Sequence, residues 1–336
     1  MRIAFAAATL IAISAAATAA PLPATGTIVK EKPALSSLIS PNARVEKVAD
    51  GVTWAEGPVW IPDGGYLLLS DPPENRMFRW SAKDGLSIFM KPSGYAGTDT
   101  AIFREDGSNG LIPGDKPGTI LMADSGSRGI ARLDLASKKK TFLVTQYRGK
   151  KFNSPNDLVL ARDGSIWFTD PPYGLKDLDK SPAKEMPFNG VYRLLPNGDV
   201  QLIDGSLTFP NGIGLSPDQR TLYVSVSDPD QAEIYAYSLD PTGKVLNRRV
   251  FADMTPLVKQ GLPGLPDGMK IDAHGNLFAS GPGGIHILSP KGVELGLIRT
   301  DVTSENCAFG EDGGTLFIAS THSVLRVRTK TRGLGY

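Results

Sequence analysis

Apolar residues in this chain come in short runs broken by polar turns, and no window sustains the 3.6-residue apolar period of an amphipathic helix. Six runs share one local grammar: Glu56-Gly57-Pro58-Val59-Trp60, Asn109-Gly110-Leu111-Ile112, Asn156-Asp157-Leu158-Val159-Leu160, Asn211-Gly212-Ile213-Gly214-Leu215, Asp267-Gly268-Met269-Lys270-Ile271 and Asn306-Cys307-Ala308-Phe309. Each opens on an acidic or amide side chain and passes into a short apolar segment. Most continue through a polar turn into a second, strongly β-prone segment. Recurrence of an all-strand unit about every 50 residues marks a radial or stacked repeat. A single Asn-Gly or Asp-Gly pair marks no more than a turn, but six openings in matching register outweigh that reading.

The pattern predicts four short strands per unit. The first unit places them at 56–61, 66–70, 76–80 and 86–90, and the others repeat that plan with shifted turns. The 37 Gly and 26 Pro fall mostly at the turns, as hairpin connections require. Six such units without helices predict an all-β fold, a six-bladed β-propeller with four-stranded blades, residues 43–48 completing the last blade. A sandwich of about seven to nine strands cannot absorb this many. A closed ring is one domain, here 43–331, with 21–42 expected to run extended over the surface. The polar stretch 173–189 in the third unit is expected as a surface loop covering the channel mouth.

Composition and the N-terminus narrow the setting. Met1-Arg2, the apolar run 3–17 and Ala17-Thr18-Ala19-Ala20 read as a signal peptide over 1–20, so export to the periplasm or the medium is expected. The run is short and rich in Ala, and Pro21 and Pro23 follow at once, so no membrane anchor is expected. The single cysteine, Cys307, excludes an intrachain disulfide and at a strand start is expected buried and unreactive. A formal charge of +1 gives no electrostatic reason to expect nucleic acid or an anionic membrane as partner.

The candidate chemistry follows from the repeat. The innermost strand of every propeller blade faces the central channel, so the six opening residues converge on one channel end. They supply two carboxylates and four amides, with no His or Cys. Unpaired carboxylates share a buried channel only at high cost. A divalent cation would neutralise both and accept amide oxygens. All-oxygen ligation suits Ca²⁺ first, with Mg²⁺ or Mn²⁺ possible, whereas Zn²⁺ is expected to prefer His or Cys. The metal role goes to Glu56, Asn211 and Asp267. For Asn109 and Asn306, hydrogen bonding to backbone at the blade tops is the preferred reading.

Several of these stretches, taken together, resemble the SMP-30/gluconolactonase family: Ala55 to Trp60, Ser154-Pro155-Asn156-Asp157, Phe168 to Gly174, Pro210-Asn211-Gly212-Ile213, Pro266 to Lys270 and Asn306 to Gly310. The resemblance implies a six-bladed propeller with one divalent metal, usually Ca²⁺ or Zn²⁺, in the channel. It implies that Glu56, Asn211 and Asp267 bind the metal and that Asn156 lies at the metal or its substrate. Animal members carry a sugar-contacting Arg two positions before that Asn, where this chain has Ser154, so sugar recognition is expected to differ.

The expected activity is hydrolysis of a sugar lactone such as glucono-1,5-lactone, a small-molecule substrate. A cation would polarise the carbonyl, and Asp267 would take a proton from the attacking water as the catalytic base. Asp157, Asp170 and Tyr173 either contact sugar hydroxyls or, equally, brace loops and pack locally. Two rivals stand beside this reading: an organophosphate or aryl-ester hydrolase, and a non-enzymatic binding propeller. No Gly-x-Ser-x-Gly elbow supports a serine hydrolase.

Overall fold

The computed structural model describes residue 22 and residues 24–335, so the expected signal peptide at 1–20 lies outside the described residues. Six antiparallel blade sheets follow one another along the chain, with a two-stranded hairpin, Gln146–Tyr147 and Lys150–Lys151, between the second and the third. Blade one comprises Glu56–Ile61, Tyr66–Asp71, Arg76–Ser81 and Gly85–Met90. Blade two comprises Leu111–Pro113, Thr119–Asp124, Gly129–Asp134 and Lys140–Val144, and blade three Leu158–Leu160, Ile166–Asp170, Gly190–Leu194 and Val200–Asp204. Blade four comprises Pro210–Leu215, Thr221–Val226, Glu233–Leu239 and Val245–Asp253, and blade five Met269–Ile271, Leu277–Gly281, Gly284–Leu288 and Glu294–Arg299. Blade six takes Asn306–Gly310, Thr315–Ser320 and Ser323–Arg328 from the end of the chain, and its outer strand, Val45–Asp50, from the beginning. The pairing Glu46↔Arg326 closes the ring, and Arg326 Nε reaches Glu46 Oε2 at 3.0 Å.

The middle strands are apolar on both faces because each blade is packed between two others. Alternation along a strand then sends successive side chains to opposite neighbours. Leu67 and Leu69 of blade one pack against Phe317 and Ala319 of blade six, while Leu68 packs with Ile120 and Met122 of blade two. Six apolar clusters result, one for each blade–blade interface. At the seam where the ring closes, Trp60 stacks on Phe317 with centroids 5.4 Å apart.

The N-terminal segment departs from the extended path expected of it. Thr27–Lys30, a β-prone Thr-Ile-Val-Lys run, pairs with Glu294–Arg299 as a fifth strand of blade five. A one-turn helix, Leu35–Leu38, then buries Leu35 and Leu38 in the cluster between blades five and six. A second short helix, Thr255–Lys259, precedes blade five. Neither helix is long enough to show a period in sequence. The 173–189 stretch is also more than a surface loop, because Leu175 and Met186 are buried. It is stitched to the 91–108 connection by Arg104 N and Glu105 N, which both donate to Gly174 O, and by Lys176 N, which donates to Ile102 O.

Candidate active site

At four of the six openings the next residue is glycine, Gly57, Gly110, Gly212 or Gly268, and this explains how those inner strands come so close. A Cβ added at Gly57, itself at φ 48°, would lie 2.1 Å from Asn109 O of blade two; one at Gly212 would lie 2.2 Å from Asp267 O of blade five. These glycines sit in strands and allow backbone-to-backbone approach between blades; turn formation is not their task. Hydroxyls on the second strands tie the arrangement. Thr169 Oγ1 donates to Asn211 O at 2.6 Å, and Ser225 Oγ donates to Asp267 O at 2.8 Å. These opening residues are therefore held through their own main chains by the neighbouring blade, and their side chains turn to the channel.

Glu56, Asn109, Asn156, Asn211 and Asp267 line one cavity of about 490 Å³ at the channel mouth, together with Tyr173. The polar inventory there is incomplete. Asn211 Nδ2 donates to Ser227 Oγ at 2.8 Å, but Asn211 Oδ1 is buried without a hydrogen-bond partner. Asp267 Oδ1 and Asn109 Oδ1 are in the same condition. Glu56 Oε2 accepts from its neighbour Gly57 N at 3.1 Å. Orphaned buried oxygens are costly and call for a ligand.

Charge makes the same demand. Burial pushes the Glu56 carboxyl up to about 8, with the Asp157 and Glu105 carboxylates adding to the effect. Asp267 is pushed well above the ordinary carboxylate range by burial and by Glu56 and Glu305. Glu305, fully buried just beyond the cavity, is raised to about 9 by burial and by Glu56. Like-charged carboxyls in dry surroundings hold protons unless a cation replaces them. Among the described residues no three His, Cys, Asp or Glu side chains form a metal cluster. The donor set reaches four oxygens only when amides are counted.

Asn306 stays out of the cavity: its Oδ1 accepts from Cys307 N at 2.9 Å and from Lys270 Nζ at 3.4 Å, the structural role expected of it. Asn109, for which backbone bonding was the preferred reading, instead lines the cavity with a free oxygen. Asp157 and Asp170 are not among the cavity-lining residues, a correction to the sugar-contact reading and in line with the bracing reading held equal to it. Strand alternation turns Asp157 away from Asn156 and against Gly110 of blade two, where its Oδ1 accepts from Leu158 N. Asp170 Oδ2 and Oδ1 accept from Asn153 N and Ser154 N at 2.8 and 2.9 Å, bracing the loop that delivers Asn156. Ser154 itself is buried, donating to Pro171 O and accepting from Gly174 N. Tyr173 lines the cavity and stacks on Phe209 at 5.9 Å.

Arg104, Glu105, Trp54 and Ser227 also line the cavity and were not singled out by sequence. All four lie on connections outside the repeat's strands, where no period marks them. Cys307 is fully buried, and burial pushes its thiol up to about 12, so it is inert. The histidines stay out of the site. His286 Nδ1 lies 2.7 Å from Glu294 Oε1, and His322 Nδ1 lies 2.9 Å from Thr53 O.

Comparison with known proteins adds independent findings. The model of the SMP-30/Gluconolactonase/LRE-like region matches residues 54–322. The gluconolactonase of Zymomonas mobilis is 49% identical over 312 residues, 92% of this chain and 87% of its own. A gluconolactonase structure from Xanthomonas campestris superimposes with a TM-score of 0.76 at 31% identity, covering 93% of this chain and 99% of its own. The diisopropyl-fluorophosphatase of Loligo vulgaris is 23% identical over 253 residues, 72% of this chain and 76% of its own.

Proposed function

We infer the activity from the premise that the chain belongs to the SMP-30/Gluconolactonase/LRE-like family: it is a lactonase that hydrolyses a sugar lactone, such as glucono-1,5-lactone, to the aldonic acid. The observation that carries this is the 49% identity to a gluconolactonase across 92% of the chain. The cavity, with its convergent oxygens, supplies a site of suitable size and polarity.

The residues fit a hard divalent cation, since the free Asn211 and Asp267 oxygens and the protonation-prone Glu56 are what such an ion would satisfy. Glu56, Asn211, Asp267 and Asn156 would hold it. Ca²⁺ is preferred over Zn²⁺, Mn²⁺ or Mg²⁺ because every donor is oxygen and they come from four different blades. When bound, the ion supplies Lewis-acid polarisation of the ester carbonyl. Asp267, whose carboxylate lines the cavity beside Glu56 and Asn211, takes the proton of the attacking water. Tyr173 and Asn109 flank the space left for the sugar ring. The leader-like residues 1–20 support export to the periplasm or the medium.

A second reading, phosphotriester hydrolysis, is favoured by the likeness to diisopropyl-fluorophosphatase. A substrate panel separates the two: glucono-1,5-lactone against diisopropyl fluorophosphate, with and without chelator, alongside elemental analysis of the purified protein. Chelator-sensitive turnover of the lactone with one equivalent of calcium is expected. Turnover of the phosphofluoridate alone would overturn the lactonase conclusion, and a metal-free active protein would overturn the cation assignment.

A further inference from the structure

Among the side chains lining the cavity, Arg104 is the one cation, set against the carboxylates of Glu56, Glu105 and Asp267. Its Nη2 lies 2.8 Å from Glu105 Oε1, with the Arg104 side chain 54% exposed and that of Glu105 11% exposed. The pair thus runs from the mouth into the cavity. Its backbone is fixed, because Arg104 N and Glu105 N donate to Gly174 O at 2.9 and 3.3 Å, on the loop that carries Tyr173. Gly174 is itself held by Ser154 Oγ, which accepts from its N at 2.9 Å. A Cβ at Gly174 would lie 2.8 Å from Ser154 Cβ and 3.1 Å from Glu105 O, so the packing admits little there beyond glycine. A loose surface ion pair contributes little and does not need such anchoring.

We propose that Arg104 and Glu105 form the subsite that reads neighbouring hydroxyls of the sugar lactone, apart from the four oxygen donors assigned to the cation. A guanidinium only donates and an ionised carboxylate only accepts, whereas a hydroxyl does both. Two adjacent hydroxyls therefore satisfy the pair when one accepts from Arg104 and the other donates to Glu105. A lactone without hydroxyls leaves both partners facing an apolar ring, and a site built for hydroxyls rejects such an analogue strongly. The subsite thus selects polyhydroxylated lactones over bare ones. It rests on the lactonase reading.

The test compares glucono-1,5-lactone with δ-valerolactone, the unsubstituted ring of the same size, in the calcium-loaded enzyme and in Arg104→Met, Arg104→Lys and Glu105→Gln. Expected is a preference of the wild type for the sugar lactone. In Arg104→Met the ratio of the two kcat/KM values falls about 10- to 100-fold, the range of a lost hydrogen bond to a charged group, mainly through KM. Arg104→Lys recovers part of it, since charge returns without the planar fork. Gluconate affinity, measured by calorimetry on the same proteins, falls in parallel. An unchanged ratio and unchanged gluconate affinity in Arg104→Met and Glu105→Gln would overturn the subsite while leaving the lactonase reading intact. A wild type that hydrolyses neither lactone would overturn that reading and the subsite with it.

Discussion

The two ends of the channel enclose similar space, about 490 Å³ where the openings of blades one to five meet and about 470 Å³ where the inner strands of blades two to five continue. Their linings are opposite in character. One end gathers Glu56, Asn109, Asn156, Asn211 and Asp267, with three buried amide and carboxylate oxygens left unpartnered. The other is walled by Ile112, Leu160, Leu215 and Ile271, and no orphaned polar atom belongs to its lining among the described residues. Each inner strand opens on an oxygen donor and continues with apolar residues, so one strand direction repeated around the ring sorts chemistry to one mouth and packing to the other. Volume alone does not distinguish a site from a gap between blades; unsatisfied donors and crowded charge do.

The largest break in this contrast comes from Asp267→Asn. Turnover of glucono-1,5-lactone should fall on the order of 10²- to 10⁴-fold, the worth of a positioned base, with the fold kept by circular dichroism. Near-wild-type turnover would remove Asp267 from the mechanism.

Next comes removal of the cation, read against pH. Glu56 and Glu305 hold protons up to about 8 and about 9 in the folded protein and only to ordinary carboxylate values when unfolded. The folded state binds more protons in between, so stability of the chelated protein should fall as pH rises from about 4.5 to about 8. Calcium should abolish much of that slope, and its stabilising effect should grow with pH. Melting temperatures of chelated and loaded protein across that window check this. Equal slopes would mean that no ion takes the protons' place.

The smallest effect on chemistry is expected at the other mouth. Ile271→Ala should cost about 2–5 kcal/mol of stability through the cavity it leaves between blades four and five. Turnover per folded molecule should stay within about twofold, because Ile271 touches only packing. A large loss in kcat would show that the two ends communicate.

How far this molecule can be read from its residues follows from the same contrast. The blade strands were predictable to within a few residues because Gly, Pro, Asn and Asp punctuate each hairpin and the middle strands are rich in apolar residues. Glu56, Asn156, Asn211 and Asp267 could be grouped because each opens a repeat, and the structure sets them around one cavity. Arg104 and Glu105 were invisible, since they enter through a long connection whose path is fixed by Gly174, far away in sequence. Asp157 and Asp170 adjoin the motif, and in sequence sugar contact and loop bracing stand equal for them. Only the pleat shows that they face a neighbouring blade and a loop backbone. The sequence carries one more signal of the site: Ser70, Thr169, Ser225, Ser280 and Ser320 recur near the ends of the second strands, and Thr169 and Ser225 cap the next blade's opening residue.

Blade six is shared between the two extremities, with Val45–Asp50 lying beside Ser323–Arg328. On the ribosome, then, the first outer strand must wait for almost the whole polypeptide before its partner emerges. Until that moment Leu67 and Leu69 of blade one and the facing side of blade five have no neighbour to cover them. Assembly ends with a clasp between an early strand and a late one, so deleting residues 45–50 or 323–328 would injure the whole circle as much as a deletion in its middle.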